Sequence, residues 1–172
     1  MESGDFDRRE FLKGSGWMLG AAIAAGGCVG SRHLNNGRLS MSGFSVPPMP
    51  KVRVGFIGVG ERGSAAVRRI CNIPGVETAA LCDLRSEQVS PLLKFLKENK
   101  KPGAMKEYSG REDSWKGVCD DPNVDVVYLC VPAPLHAMME IHAMNCGKHV
   151  LVEVPAAQTI EDCWAIVETS ER

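Results

Sequence analysis

From Lys51 onward, short apolar runs alternate with stretches in which apolar residues recur at helical spacing. Val52, Val54, Phe56 and Ile57 read as a buried strand, and Glu77–Asp83 as a second. Ser86–Lys100 carries Val89, Leu92, Leu93 and Leu96 on one helical stripe, with Pro91 early enough to sit in the first turns. Lys106–Ser109 is a weak edge strand, and Ser114–Cys119 a brief helix whose Trp115 is a core or lid residue. Val124–Val131 has almost no polar content, as expected of a parallel strand covered on both faces. Leu135–Cys146 is helical with Gly147 as its cap, and His149–Val154 is a fifth strand. Thr159–Arg172 is an amphipathic helix, N-capped by Thr159 with Asp162 at the third position. Strands alternating with helices predict an α/β chain with a doubly wound parallel sheet.

The junction between the first strand and its helix is Gly58-Val59-Gly60-Glu61-Arg62-Gly63. In a strand–glycines–helix unit the first glycine permits a tight turn, the second lets a pyrophosphate approach the backbone, and the third lets helix and strand pack closely. The helix N-terminus then offers N–H groups and the positive end of its dipole to the phosphates. Asp83 ends the second strand with a carboxylate that can bind both ribose hydroxyls. Together these features predict a Rossmann domain that binds NAD. Asp83 would repel a 2′-phosphate, so NAD is expected over NADP, although Arg85 lies close by.

Ligands of such sheets bind outside the carboxyl ends of the strands, and three further features lie there. Arg62, in the glycine turn, is either a phosphate or substrate contact or a surface charge. Pro132-Ala133-Pro134-Leu135-His136 is a stiffened loop expected to pass the nicotinamide ribose, with His136 as a wall of the site. Glu153 ends an apolar strand, where an acid is costly unless it faces a cleft or a partner. His142 and His149 read as structural, and no His/Cys/Asp cluster shows metal-ligand spacing, so no metal site is expected.

The ends of the chain add location. Asp7-Arg8-Arg9-Glu10-Phe11-Leu12-Lys13, followed by an apolar run from Gly14 to Gly27, is a twin-arginine export pattern, so residues 1–30 are expected to be a signal peptide. Ala25-Gly26-Gly27-Cys28 resembles a lipobox; either Cys28 carries a lipid anchor or ordinary cleavage occurs nearby. The expected location is the periplasm or the cell envelope. Residues 31–50 read as a tether, leaving residues 51–172 for one domain. The seven cysteines show no CxxC spacing and read as small buried apolar residues rather than disulfide partners. A net charge of −1 predicts neither nucleic-acid binding nor a basic membrane surface. That export route carries folded proteins, so a cofactor loaded in the cytoplasm must be held tightly and regenerated in each turnover. The last helix is followed by no further strand, and the chain reads as the front part of a longer, homo-oligomeric protein.

Val131-Pro-x-Pro-Leu-His136 followed by Gly147-Lys-His-Val-Leu-Val-Glu-Val-Pro155 resembles the Gfo/Idh/MocA oxidoreductases, which join a Rossmann domain to an α/β substrate domain. Their usual fifth-strand motif is Glu-Lys-Pro, whose lysine assists hydride transfer; this chain has Val154 there. Gly58-Val-Gly-Glu-Arg-Gly63, Glu153-Val-Pro-Ala-Ala157 and Thr159-Ile-Glu-Asp-Cys-Trp164 are more similar to glycoside hydrolase family 109, NAD-dependent α-N-acetylgalactosaminidases. That resemblance implies that Glu61, Arg62, Asp83, the loop Ala133–His136, Glu153 and Val154 line the NAD site. It also implies that the catalytic residues lie beyond Arg172. The implied chemistry is oxidation at C3 of the sugar, elimination of the C1 glycoside, addition of water and reduction. An exported sugar oxidoreductase of the same superfamily is the alternative reading. A third is a non-catalytic dinucleotide-binding module or remnant, which would expose an apolar edge and self-associate.

Overall fold

The computed structural model describes Leu34–Asn35, Arg38–Leu39, Met41 and residues 43–172. The twin-arginine pattern and Cys28 lie outside these residues. The chain divides between Phe44 and Ser45. In the first unit, β1 (Leu34–Asn35) pairs antiparallel with β2 (Arg38–Leu39), within the stretch read as a tether.

The second unit carries the predicted sheet. β3 (Val52–Ile57) is central, flanked by β4 (Val76–Asp83) and β6 (Val126–Leu129), with β5 (Lys106–Ser109) and β7 (His149–Val152) outside them. All pairs are parallel, in the order β5-β4-β3-β6-β7. Strand order therefore reverses at β3, and a crevice opens between the carboxyl ends of β3 and β6, where ligands of such folds bind. The connecting helices are α1 (Glu61–Ile70), α2 (Ser86–Glu98), α3 (Ser114–Asp120) and α4 (His136–Asn145), with a 3-10 turn over Ala133–Leu135 and a final α5 (Ile160–Ser170).

The two faces of β3 explain the two layers. Val54 and Phe56 point into a cluster with Val67 of α1 and Val89, Leu92 and Leu96 of α2. Ile57 points into the opposite cluster, with Val118 of α3 and Met139 and Ala143 of α4. Gly55 lies between, because a Cβ there would stand 2.5 Å from a methyl of Val118.

Several element ends differ from those read in the sequence. α2 stops at Glu98 rather than Lys100 because Lys100 adopts φ +49 and the Lys101 N–H turns back to the Leu96 carbonyl at 2.9 Å. The strand read over Val124–Val131 is regular from Val126 to Leu129, although the Asp125 N–H still reaches the Arg53 carbonyl and the Cys130 N–H that of Ile57, each at 2.8 Å. Before it, Asp125 is drawn into a fork with Arg53, which donates through Nε at 2.9 Å and Nη2 at 2.6 Å. β7 ends at Val152, although the Glu153 N–H still reaches the Leu129 carbonyl at 3.1 Å. Pro155 has no N–H to continue the ladder, so Val154 leaves the sheet. Cys71, Cys82 and Cys119 are buried as expected, Cys130 and Cys146 half-buried, and Cys163 exposed.

Thr159 caps α5 as predicted, its hydroxyl accepting the Asp162 N–H at 3.0 Å. No residue of α5 is buried, and Ile160, Trp164 and Val167 form an exposed stripe near the exposed Leu151 and Val154 in sequence. Among the described residues, no helix is long and apolar enough to cross a membrane.

Candidate functional site

The glycine turn is held from three sides. Gly58 has φ +83, and a Cβ there would lie 2.4 Å from the Cys130 carbonyl oxygen. Gly63 sits under the turn, where a Cβ would lie 1.9 Å from the Gly58 oxygen. Gly60 differs: its φ of −62 suits any residue, and a Cβ there meets nothing within 4 Å. The fold accounts for the first and third glycines and leaves the second as an open cradle. Gly60 also caps α1 without a side-chain hydrogen bond to that helix end, so the first N–H groups face the same space.

Asp83 closes the turn from β4. Its Oδ2 accepts the Val59 N–H at 2.9 Å and its Oδ1 the Arg85 N–H at 3.0 Å. Each oxygen keeps a second lone pair for a ribose hydroxyl. The Arg85 guanidinium stands 3.9 Å from Oδ1.

Beside these groups lies a cleft of about 640 Å³ whose walls include Gly58, Gly60, Asp83, Arg85, Arg111 and Leu135. A smaller cleft of about 300 Å³ is walled by Arg62, Ala133, His136, Glu153 and Val154. Cys130 and Val131 line both. Of the residues assigned from sequence, Glu61, Gly63 and Pro134 line neither: Glu61 and Pro134 are exposed, and Gly63 is buried beneath the turn. Arg111 was not assigned; it follows β5, and the strand-end rule would have found it. Its guanidinium is oriented by Asp113, with Nε–Oδ1 at 2.9 Å and Nη2–Oδ2 at 3.0 Å.

Glu153 has two partners. Oε1 accepts from the Tyr128 hydroxyl at 3.0 Å, and Oε2 lies 3.4 Å from Arg62 Nη1. Burial, and then this bond, push the Tyr128 phenol above its ordinary range. The bond ties β6 to β7, and Arg62 joins the glycine turn to them.

His136 is 2% exposed. Its Nδ1 is 2.7 Å from the Pro155 carbonyl oxygen and its Nε2 2.8 Å from that of Val131. A neutral imidazole satisfies one of these acceptors and an imidazolium both. The residue lines the cleft, but its ring nitrogens are spent on clamping the loops after β6 and β7.

One turn along α4, Glu140 is 4% exposed and its Oε1 has no hydrogen-bond partner. Burial pushes its carboxyl up to about 7 from 4.5, with the His136 charge pulling it down by less. The folded state therefore holds a proton between pH 4.5 and about 7 that the unfolded chain has released, so stability falls as pH rises through that window. Glu140→Gln should flatten this slope, leaving stability near the parent's at pH 5 and about 2 kcal/mol higher at pH 8. Urea unfolding across that range reads the difference.

Residues 52–172 match the family described as GFO_IDH_MocA, "Oxidoreductase family, NAD-binding Rossmann fold". The chain belongs to this family. Its Gfo/Idh/MocA domain is the NAD-binding one, and the open space at Gly60, the helix end without a side-chain cap and the lone pairs of Asp83 fit that cofactor. The chain is 45% identical over 136 residues to glycosyl hydrolase family 109 protein 1 of Bacteroides fragilis, covering 79% of this chain and 29% of that one. It is 37% identical over 170 residues to the alpha-N-acetylgalactosaminidase of Shewanella oneidensis, covering 96% of this chain and 37% of the relative. It thus spans about a third of the length of these relatives. Among solved structures, myo-inositol dehydrogenase from Lactobacillus casei, in complex with NAD(H) and myo-inositol, superposes with a TM-score of 0.60 at 26% identity. That match covers 69% of this chain and 33% of the other.

Proposed function

We propose that the chain is the NAD-binding part of an exported glycosidase acting on α-linked N-acetylgalactosamine. The observation that carries this reading is Val154. It stands 87% exposed on the smaller cleft, at the position where the resemblance to Gfo/Idh/MocA oxidoreductases implies the lysine of a Glu-Lys-Pro motif. A valine cannot donate or relay a proton, so net alcohol oxidation is poorly served here. Similarity to relatives named as family 109 glycosidases points the same way.

Bound NAD⁺ would supply a temporary oxidation of the sugar at C3, reversed before product leaves. The ketone acidifies the C2 proton, loss of that proton expels the C1 glycoside, and water adds in its place. The residues of this chain position and enclose. Gly60 and the α1 N-terminus would receive the pyrophosphate and Asp83 the adenosine ribose, and the loop clamped by His136 borders the smaller cleft. The base that removes the C2 proton belongs to the rest of the protein. In this reading, residues 1–30 direct twin-arginine export, Cys28 is the lipid-anchor candidate, and the full-length protein is a homo-oligomer.

Full-length protein incubated with an aryl α-N-acetylgalactosaminide and no added cofactor should release the aglycone with no rise in NADH absorbance. NADH accumulating in proportion to sugar, with no aglycone released, would replace this reading with the oxidoreductase one. The mass of the mature native protein, taken before and after denaturation, reads both retained NAD and lipid on Cys28.

A further inference from the structure

A second cluster of chemistry-bearing side chains lies outside both clefts. His142 lies in the last turn of α4 and Cys146, four residues on, is the C-cap of that helix, so the two lie one turn apart on the same side. Asp120, the last residue of α3, comes up against them. A ring nitrogen of His142, the Cys146 sulfur and an Asp120 carboxylate oxygen all lie within 4.8 Å of one another. The three residues show no metal-ligand spacing along the chain because Asp120 comes from a different helix.

We propose that Asp120, His142 and Cys146 form a site for a borderline divalent cation, zinc foremost, that pins the end of α3 to the end of α4.

Three observations support it. The His142 Nε2 is buried and has no hydrogen-bond partner, an open donor or acceptor of the kind folded proteins rarely leave. The His142 ring is already oriented, standing edge-on to Trp115 with centroids 4.9 Å apart and planes at 79°. The Cys146 thiol has only a long contact, 3.6 Å to Asp120 Oδ1. Thiolate, imidazole and carboxylate together match the donor preference of zinc rather than of magnesium or calcium. With bond lengths of about 2.0–2.3 Å, tetrahedral zinc ligands stand roughly 3.3–3.8 Å apart. Closing the cluster therefore needs a shift of about 1 Å, and Asp120, exposed at a helix end, is free to make it. Water would complete the fourth position. None of the three residues lines the NAD cleft, so the site stands or falls apart from the proposed glycosidase activity.

Cobalt(II) is the probe, because thiolate ligation gives it a charge-transfer band in the near ultraviolet. The reduced, chelator-treated 172-residue chain is titrated with Co²⁺ and then with Zn²⁺. The expected result is one Co²⁺ per chain, a thiolate band, and displacement by Zn²⁺. The band should vanish in Cys146→Ser. Zinc affinity should fall in His142→Gln and Asp120→Asn by more than the ~10–100-fold that altered outer-shell partners cost. Cys163→Ser, at an exposed thiol on α5, should change nothing. Circular dichroism of each variant separates a lost ligand from a lost fold, and Asp120→Asn, at the surface, keeps the test decisive if the others unfold. No cobalt uptake, or a thiolate band that persists in Cys146→Ser, overturns the proposal.

Discussion

Gly63→Ala should cost the domain more than about 3 kcal/mol, while Gly60→Ala should leave its stability unchanged and weaken NAD binding about 10–100-fold. The two glycines belong to one motif but answer to different constraints. At Gly63 the new Cβ would lie 1.9 Å from the backbone oxygen of Gly58 and 3.3 Å from the Cys130 Cβ. Gly58 cannot yield, because its N–H is held by the Cys82 carbonyl at 2.8 Å and its own Cβ position is closed by the Cys130 carbonyl. The helix must therefore back away from the sheet, opening contacts around the fully buried Val67. That is an overpacking strain with no soft side to relax into, so it exceeds the usual ~1–3 kcal/mol. At Gly60 an added methyl enters free space at an ordinary φ, so urea unfolding without cofactor should give the parent's midpoint. The same methyl would stand where a pyrophosphate approaches the helix end. Calorimetric titration with NAD reads the second half of the prediction. A Gly60→Ala protein that binds NAD like the parent would mean that the phosphates do not pass over this glycine.

That contrast also shows what the linear chain discloses. The apolar runs locate the central strands β3, β4 and β6, which must be almost free of polar residues where both faces are covered, whereas β5, Lys106–Ser109, carries no apolar run and is legible only as a weak edge strand. The end of β7 was harder to read: Val154 is as apolar as its neighbours, and only the missing N–H of Pro155 removes it from the ladder. The turn glycines and Asp83 are legible because their spacing is local. Their partners are not. Asp83 is placed by the Val59 N–H and Glu153 by the Tyr128 hydroxyl, pairs separated by 24 and 25 residues. Arg62 meets Glu153 across 91 residues and stands on the smaller cleft, a pairing that local spacing does not disclose. The Asp120–His142–Cys146 cluster was invisible for the same reason: periodicity gives one face of one helix, and the sheet decides which helices meet.

His136→Ala should lower the unfolding free energy by about 3–5 kcal/mol, a large change for a residue that sequence position alone makes a wall of the site. The ring is 2% exposed and fills the space between the loop after β6 and the loop after β7. Truncation leaves the carbonyl oxygens of Val131 and Pro155 without the ring between them, at about 1–3 kcal/mol for each one that loses a donor and stays buried. It also opens a cavity and leaves Glu140, already deprived of a partner at Oε1, without the neighbouring charge that favours its ionised form. Asn at this position can restore a donor to one carbonyl, so His136→Asn should recover part of the loss. The functional consequence follows from what the carbonyls frame. Val131 lines both clefts, and Pro155 is bonded next to Val154, which lines the smaller one. Releasing them should weaken NAD binding even where the mutant remains folded at low temperature. A stability change below about 1 kcal/mol, the worth of a single solvent-compensated hydrogen bond, would show that the clamp is not what holds the two loops together.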